Sequence, residues 1–183
     1  MPLGYGGGVC NIDDIRKLFS LGLEKVSINS CSVSNPQLIR EASYLFGSQS
    51  IVVSMDVKKG MFSKYQVFTH SGIRKTNYDP VKFAIYMAEL GAGEILVNSI
   101  DRDGTMQGYD LDLIKLVADS VDIPIIACGG AGNVDHLVEG VEYGGASAVA
   151  AGSMFVFQGR HRAVLISYPS DVEIRAAFRK SLN

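Results

Sequence analysis

One pattern occurs twice in this sequence of 183 residues: an apolar segment ends in glycines and leads directly into a segment with helical spacing. In the second copy, residues 123–132 read Ile-Pro-Ile-Ile-Ala-Cys-Gly-Gly-Ala-Gly. An offset of 122 residues superimposes the copies without a gap, pairing Gly129-Gly130 with Gly7-Gly8, Asn133-Val134-Asp135 with Asn11-Ile12-Asp13, Leu137 with Ile15, and Gly144 with Gly22. A strand-turn-helix unit repeated in this way indicates a barrel built from duplicated units.

Each glycine turn is also a predicted anion site. A glycine turn at the start of a helix exposes backbone N–H groups, and a phosphate is favoured there. Glycines in that position can also serve only to allow a tight turn. Two copies at one spacing favour phosphate binding, so the sequence predicts an elongated substrate with a phosphate at each end.

The composition limits the possible ligands and the possible compartment. With 47% hydrophobic residues the chain has enough apolar material for one domain with its own core. A net charge of −2 and a pI near 5.9 provide no basic field for nucleic acid, so a small anionic metabolite fits better. No apolar run approaches the roughly 20 residues of a membrane helix, and no export signal is recognisable. We therefore predict a cytoplasmic protein.

The three cysteines are far apart in the chain. Cys10, Cys31 and Cys128 form no Cys-x-x-Cys motif and have no histidine at ligand spacing. The sequence therefore predicts reduced thiols, without a disulfide or a metal site.

Periodicity predicts six strand-helix units. The predicted strands are 2–8, 25–28, 50–55, 94–98, 123–127 and 146–151, and the predicted helices are 11–21, 35–46, 79–90, 111–120, 134–143 and 172–182. Residues 57–77 interrupt this rhythm and are predicted to form an inserted loop with a small hairpin.

We predict a single α/β domain over residues 1–183 that forms a partial (β/α)₈ barrel with six of the eight units. The repeat makes these units three to eight, and places units one and two before Met1. An open doubly wound sheet is the alternative, but such sheets bind ligands at one switch point, whereas polar or small residues end every strand here. The two open sheet edges predict self-association.

In a barrel the strand ends form one rim, and the residues there are the candidate site. They are Gly8, Asn29, Ser30, Asp56, Asn98, Ser99, Asp103, Gly130, Ala131, Gly152 and Ser153. Asp56 follows an apolar strand and is the predicted general acid or base, with capping of the inserted loop as the alternative. Asp103 is predicted to position substrate, although the neighbouring Asp101 and Arg102 could instead form a self-contained turn.

Other polar residues fall away from this rim. His70, His136 and His161 show no base-nucleophile arrangement and are predicted to be surface or structural residues, with His136 on a helix away from the rim. Lys25 and Glu94 begin two strands, at the end of a barrel that usually serves stability.

Several motifs together resemble one known family. They are Tyr5-Gly6-Gly7-Gly8, Lys25-Val26-Ser27-Ile28-Asn29, Phe46-Gly47-Ser48-Gln49, Gly91-Ala92-Gly93-Glu94-Ile95, Ser99-Ile100-Asp101-Arg102-Asp103-Gly104-Thr105 and Gly129-Gly130-Ala131-Gly132. Over nearly the whole chain, and in the same order, they resemble the cyclase subunit of imidazole glycerol phosphate synthase. The phosphoribosyl isomerase of the same pathway shares the duplicated barrel but resembles these motifs less well.

The resemblance implies a (β/α)₈ barrel without cofactor or metal that receives ammonia from a glutaminase subunit at its N-terminal face. The implied reaction closes an imidazole ring on a bis-phosphorylated ribulosyl aminoimidazole carboxamide substrate. Asp56 matches one of two catalytic aspartates. Gly8, Asn29 and Ser30 match one phosphate site, with Ser30 in place of a threonine, and the other site is matched by Gly130, Ala131, Gly152 and Ser153. Lys25 and Glu94 match a charged ring through which ammonia passes.

The sequence departs from the family pattern in two places. The other catalytic aspartate belongs to unit one, and Asp56-Val57-Lys58-Lys59-Gly60 echoes its motif only at the position of unit five. Loss of one of a paired acid and base is expected to slow cyclisation by about 10²- to 10⁴-fold. Residues 155–169 resemble a family variant associated with surface-polysaccharide gene clusters, so ammonia supply for sugar amidation is an alternative. A non-catalytic remnant that binds phosphate or a partner is another.

Overall fold

The computed structural model describes residues 2–60, 64–159 and 161–180. The strands are β1 (Gly4–Gly6), β2 (Lys25–Ile28), β3 (Ile51–Lys59), β4 (Tyr65–Thr69), β5 (Arg74–Lys75), β6 (Glu94–Ser99), β7 (Ile125–Cys128), β8 (Ala148–Val149), β9 (Phe157–Gln158) and β10 (Ala163–Val164). The helices are α1 (Ile12–Ser20), α2 (Ser30–Ser34), α3 (Gln37–Phe46), α4 (Pro80–Glu89), α5 (Leu111–Ala118), α6 (Val134–Glu142), α7 (Ser153–Val156) and α8 (Asp171–Lys180).

The main sheet has six parallel strands in the order β1-β2-β3-β6-β7-β8. Each strand lies beside the next parallel strand in the chain, and the order never reverses. A doubly wound sheet requires such a reversal at its switch point, so that alternative is wrong. The winding is that of a (β/α)₈ barrel, with six of its eight units in the described part of the chain.

The strands separate apolar from polar side chains. Val26 and Ile28 of β2, like Ile95 and Val97 of β6, are almost completely buried against the helices. The intervening residues on the other face are partly exposed. That inner face carries polar side chains along several strands, namely Lys25, Ser27, Ser54, Asp56, Glu94 and Asn98. The sheet therefore directs its polar residues toward the inside of the barrel.

The helices cover the apolar face in chain order. Four of them begin at a side-chain cap, in which the carboxylate or amide oxygen of Asn11, Asp79, Asp110 or Asn133 accepts a backbone N–H of the first turn. Helix α1 packs on α3, α4 on α5, and α5 on α6. The buried residues between helices and sheet form one continuous core, with Phe83 its largest fully buried side chain.

An antiparallel hairpin extends from the middle of the sheet. Strand β3 pairs with β2 over Ile51–Val53 and then with β4 over Asp56–Lys59, while β6 lies along its other side. Strand β5 completes the hairpin by pairing with β4. Residues 61–63, within the predicted insertion 57–77, lie outside the described residues.

Some boundaries differ from the prediction. The first and last parallel strands are shorter than predicted, because residues on either side of Gly4–Gly6 and Ala148–Val149 lack a bridging partner. In the described residues each of these strands pairs on one side only. The final helix begins one residue earlier than predicted, and residues 181 and 182 lie outside the described part.

Candidate functional site

Three side chains meet where β2 and β6 end and β3 continues into the hairpin. One carboxylate oxygen of Asp56, Oδ2, accepts from the amide nitrogen of Asn29 at 3.1 Å, and the other, Oδ1, accepts from that of Asn98 at 2.9 Å. Each oxygen therefore has one amide donor, and the carboxylate plane is fixed. The buried Oδ1 atom of Asn98 has no hydrogen-bond partner among the described residues.

Asp56 lies inside β3, whereas the sequence predicted it at the strand end. The prediction was wrong because β3 does not stop there: it continues to Lys59 as the first strand of the hairpin. Its side chain is partly exposed and lines two cavities. One leads to the first glycine turn, and the smaller one is shared with Ser71, Asn98, Ile100 and Asp103.

The first glycine turn opens into a cavity of about 600 Å³. Gly7 and Gly8 have φ of 134° and 71°, and a Cβ on Gly8 would meet no atom within 4 Å. Within the described part of the chain, the backbone N–H of Gly8 has no hydrogen-bond acceptor. Asn29 and Ser30 line the same cavity. Three residues predicted to bind one phosphate therefore face one space.

The hairpin covers one side of this cavity. The backbone N–H of His70 donates to the Ser30 hydroxyl oxygen at 3.0 Å. The Ser30 hydroxyl in turn donates to Oδ1 of Asn29 at 3.2 Å. His70, Ser71 and Arg74 of the hairpin line the cavity together with the glycine turn. The contact between the hairpin and the glycine turn was not predicted from the sequence. The direction of the hairpin is set by the pairing of β4 with β3, which the sequence does not reveal.

A disulfide joins Cys10 to Cys31, with 5.3 Å between their Cα atoms. The prediction that all three cysteines are reduced thiols is therefore wrong; Cys128 is the free thiol. The pair was missed because 21 residues separate the two cysteines. However, parallel pairing of β1 and β2 brings the loops that follow them side by side. The bond ties the loop after Gly8 to α2.

The second glycine turn is packed against other backbone. Gly129 and Gly130 have φ of 84° and 117°. A Cβ on Gly129 would lie 2.6 Å from Oδ1 of Asn98, and one on Gly130 would overlap the carbonyl oxygen of Gly108. The Gly130 carbonyl also accepts the N–H of Gly108 at 2.8 Å. This turn needs glycine because the loop after β6 lies directly on it.

The loop after β6 buries one predicted site residue, Ser99, and exposes another, Asp103, to a cavity. Ser99 is buried, and its carbonyl oxygen accepts the N–H groups of Arg102 and Asp103. Asp103 faces the small cavity beside Asp56. Asp101 accepts the backbone N–H of Lys59 at 2.7 Å and thereby fastens the loop to the hairpin.

The end of β8 contributes the last predicted residues. Gly152 is exposed and a Cβ there would meet nothing within 4 Å, while Ser153 begins the short helix α7. Ala131 is buried. The Tyr109 hydroxyl donates to the carbonyl of Ala150 at 2.9 Å, so the loop after β6 is tied to this strand end as well.

His136 lies against the second turn, not away from it as predicted. Its Nδ1 accepts the backbone N–H of Gly132 at 3.1 Å. The helical position was predicted correctly, but the first turn of α6 is close enough to the preceding loop for the ring to reach back. The contact gives the histidine a structural function in the glycine turn.

Burial changes the acidity of groups around the second turn. It raises the pKa of the Cys128 thiol to about 11, and the Asp103 carboxylate acts in the same direction. Burial also raises the pKa of Tyr109. Tyr65 has its pKa raised by burial and by its hydrogen bond to Asp110. At neutral pH these three groups are protonated.

Lys25 and Glu94 lie at the opposite end of the strands and form an ion pair. Both side chains are partly exposed on the inner face. A cavity of about 590 Å³ begins beside Lys25 and is lined by Phe19, Leu23, Glu24, Phe46, Gln49 and Ser50.

The described residues contain no cluster of His, Cys, Asp or Glu that could hold a metal ion. Their helices also include none with the length and apolar character to span a bilayer.

Comparison with known proteins gives the family. Residues 1–162 match the model of the family described as histidine biosynthesis protein. This chain belongs to that family. It is 49% identical over 169 residues to a Pseudomonas aeruginosa protein provisionally named imidazole glycerol phosphate synthase subunit hisF2, covering 92% of this chain and 67% of the relative. A Leptospira borgpetersenii protein provisionally named imidazole glycerol phosphate synthase subunit HisF is 45% identical over 179 residues, covering 97% of this chain and 70% of the relative.

Membership in the histidine biosynthesis family agrees with the singly wound sheet, because that family has the (β/α)₈ barrel fold. The resemblance to a HisF-type cyclase and the predicted fold class are both confirmed.

Proposed function

We propose that this chain is an ammonia-dependent cyclase subunit of the imidazole glycerol phosphate synthase type. The substrate would be the bis-phosphorylated ribulosyl aminoimidazole carboxamide ribotide, and one product imidazole glycerol phosphate. The observation that carries the proposal is Asp56, a carboxylate held by two amides at the point where the cavity of the first glycine turn meets the cavity beside Asp103.

Asp56 would transfer a proton during ring closure. Its oxygens each retain acceptor capacity beyond the single amide bond, so the carboxylate can take a proton from a substrate group in either cavity. The amides keep its plane constant, which favours a reactive geometry. Gly8, Asn29 and Ser30 would hold one phosphate, and Gly130, Ala131, Gly152 and Ser153 the other, with Ser99 and Asp103 acting between them.

Ammonia would arrive from the opposite end of the barrel. The Lys25–Glu94 ion pair lies there on the inner face, in line with the strands that lead to Asp56 and Asn98. The neighbouring cavity offers the aromatic rings of Phe19 and Phe46, which contact each other with centroids 5.1 Å apart. Aromatic residues are enriched in protein–protein interfaces. These features support a glutaminase partner at this face.

The test measures turnover of the bis-phosphorylated substrate with an ammonium salt as the nitrogen source. The reaction is monitored by the change in absorbance as product forms. We expect Asp56→Asn to lower kcat/KM by about 10²- to 10⁴-fold, because general acid-base assistance is worth that much. Asp119→Asn is the control, because it removes the same charge from an exposed ion pair with Lys115 on the surface of α5. It should change the rate less than twofold. An Asp56→Asn variant as fast as the parent chain would refute the assignment.

A second candidate is ammonia supply for sugar amidation, because residues 155–169 resemble the family variant associated with surface-polysaccharide gene clusters. Strands β9 and β10 form a separate hairpin, and the residues after it expose Leu165, Ile166 and Tyr168. If this candidate is correct, the chain will not cyclise the bis-phosphorylated substrate, but a glutaminase bound to it will release ammonia to a sugar acceptor. Phosphate binding without either reaction would indicate a non-catalytic remnant.

A further inference from the structure

The cavity at the first glycine turn has a single lysine or arginine among its described lining residues. Backbone amides of the turn are neutral donors, the hydroxyls of Ser30 and Ser34 already donate to Asn29 and to the Ser30 carbonyl, and Asp56 adds a negative charge to the lining. A phosphate dianion in this space would therefore be stabilised by a cation among the lining residues. Arg74, from β5 of the hairpin, is that residue.

The hairpin is fixed over the cavity by its own strands and by one contact. Its tight turn has three successive residues in the left-handed region, His70, Ser71 and Gly72, with φ of 54°, 56° and 79°. Such backbone persists for non-glycine residues only when the surroundings determine it. The pairing of Thr69 with Arg74 and the hydrogen bond from the His70 N–H to Ser30 provide that support.

The guanidinium of Arg74 is available for a ligand. Within residues 2–60, 64–159 and 161–180, no carboxylate lies within 4.0 Å of it. Lys75, the next residue on β5, pairs with Phe68 and does not line the cavity. Successive residues of a strand point to opposite faces, so only one of these two cations can serve the cavity.

We propose that Arg74 binds the anionic group held by the first glycine turn, so that this site has the turn on one side and the hairpin on the other. The ligand class is a phosphate monoester, because a guanidinium pairs with two phosphate oxygens while the turn supplies N–H donors to another. The inference rests on the proposed function and adds a binding residue to it. Asp56 repels a phosphate, whereas Gly8 offers a backbone N–H without an acceptor among the described residues and Arg74 offers a positive charge, so we place the phosphate between Gly8 and Arg74.

Inorganic phosphate is the probe. Amide NMR resonances of Gly8 and Ser30 are followed during phosphate titration of the parent chain and of Arg74→Met, Arg74→Lys and Lys75→Met. We expect about tenfold weaker binding in Arg74→Met, because a charge-assisted hydrogen bond is lost, and a smaller loss in Arg74→Lys, which keeps the charge but not the paired geometry. Lys75→Met makes the same charge change on the same strand and should alter the affinity less than twofold.

Equal losses in Arg74→Met and Lys75→Met would overturn the proposal, since net charge would then explain both. Absence of a phosphate response at Gly8 in the parent chain would also overturn it. Turnover is measured separately: Arg74→Met should raise KM with little change in kcat. Arg74-dependent phosphate binding without any cyclisation would refute the proposed function and leave the binding residue in place.

Discussion

The turn after β1 and the turn after β7 have the same sequence pattern, but glycine serves different purposes in the two. A Cβ on Gly8 would enter open space, whereas a Cβ on Gly130 would overlap Gly108. The first turn faces a cavity, and the second supports the loop that follows β6. A repeated motif therefore indicates a repeated backbone shape, and the neighbouring residues decide whether glycine is needed there for the backbone conformation alone or also for close packing.

The helices that follow the two turns begin alike, as their matching sequences predict. In both, an asparagine caps the helix and an aspartate lies in the first turn. Each asparagine accepts one backbone N–H of its helix, that of Asp14 or of His136, so the helix starts are alike and the difference between the two regions lies in the glycine turns.

Alanine substitution at the paired glycines gives the largest expected contrast. Gly130→Ala should lower the free energy of unfolding by about 3 kcal/mol, because a left-handed backbone and overlap with Gly108 act together. Gly8→Ala should cost about 1 kcal/mol, from the backbone conformation alone. Urea denaturation of both variants measures the difference. Equal losses would show that the two turns are packed alike.

Reduction of the disulfide should affect the first turn only. The bond between Cys10 and Cys31 closes a loop with a sequence separation of 21, which in the chain-entropy account is worth about 3 kcal/mol. We expect a reductant to lower the unfolding free energy by this amount and to speed hydrogen exchange in residues 7–11, but not in residues 129–133. Cys31→Ser should reproduce the effect and be insensitive to the reductant. Faster exchange at both turns would contradict this separation.

Alkaline pH should lower the free energy of unfolding through Cys128, next to the second turn, by less than reduction of the disulfide does. Folding raises the pKa of Cys128 from about 9 to about 11, so the folded protein keeps a proton that the unfolded chain releases. This contribution to stability is complete below pH 9 and is lost as the pH rises through 11. We expect a loss of about 1 kcal/mol by pH 10, measured by urea denaturation. Cys128→Ala should reduce that loss. The cysteines of the first turn do not titrate while they are bonded.

The sequence predicts much of the fold because the fold depends on local signals. Alternation and glycine turns located all six parallel strands, and the internal repeat suggested the barrel. The packing of Gly130 on Gly108, by contrast, depends on the path of a loop more than twenty residues earlier. The Cys10–Cys31 bond likewise depends on which strands are neighbours. Its signal was present in the order of the strands, since loops after adjacent parallel strands lie together.

The site shows the same division. Asp56 and the residues of the first turn were predicted as rim residues, and the structure places them on one cavity. The position of Arg74 on that cavity was not predicted, because nothing in residues 57–77 shows which way the hairpin folds. Asn98 was recognised as a rim residue, but its amide contact with Asp56 depends on the register between β3 and β6.

Strand β3 belongs to both the barrel and the hairpin, and this shared membership has a mechanical consequence. Asp56 is directly opposite Phe68 on β4, and Phe68 is directly opposite Lys75 on β5, the residue after Arg74. Continuous strand pairing thus sets the spacing between the backbone positions that carry the carboxylate and the guanidinium. Because β3 pairs with both β4 and β6, the hairpin is held to the barrel sheet and does not move independently of it. The proposed phosphate-binding residue and the proposed proton-transfer residue therefore keep a constant backbone separation.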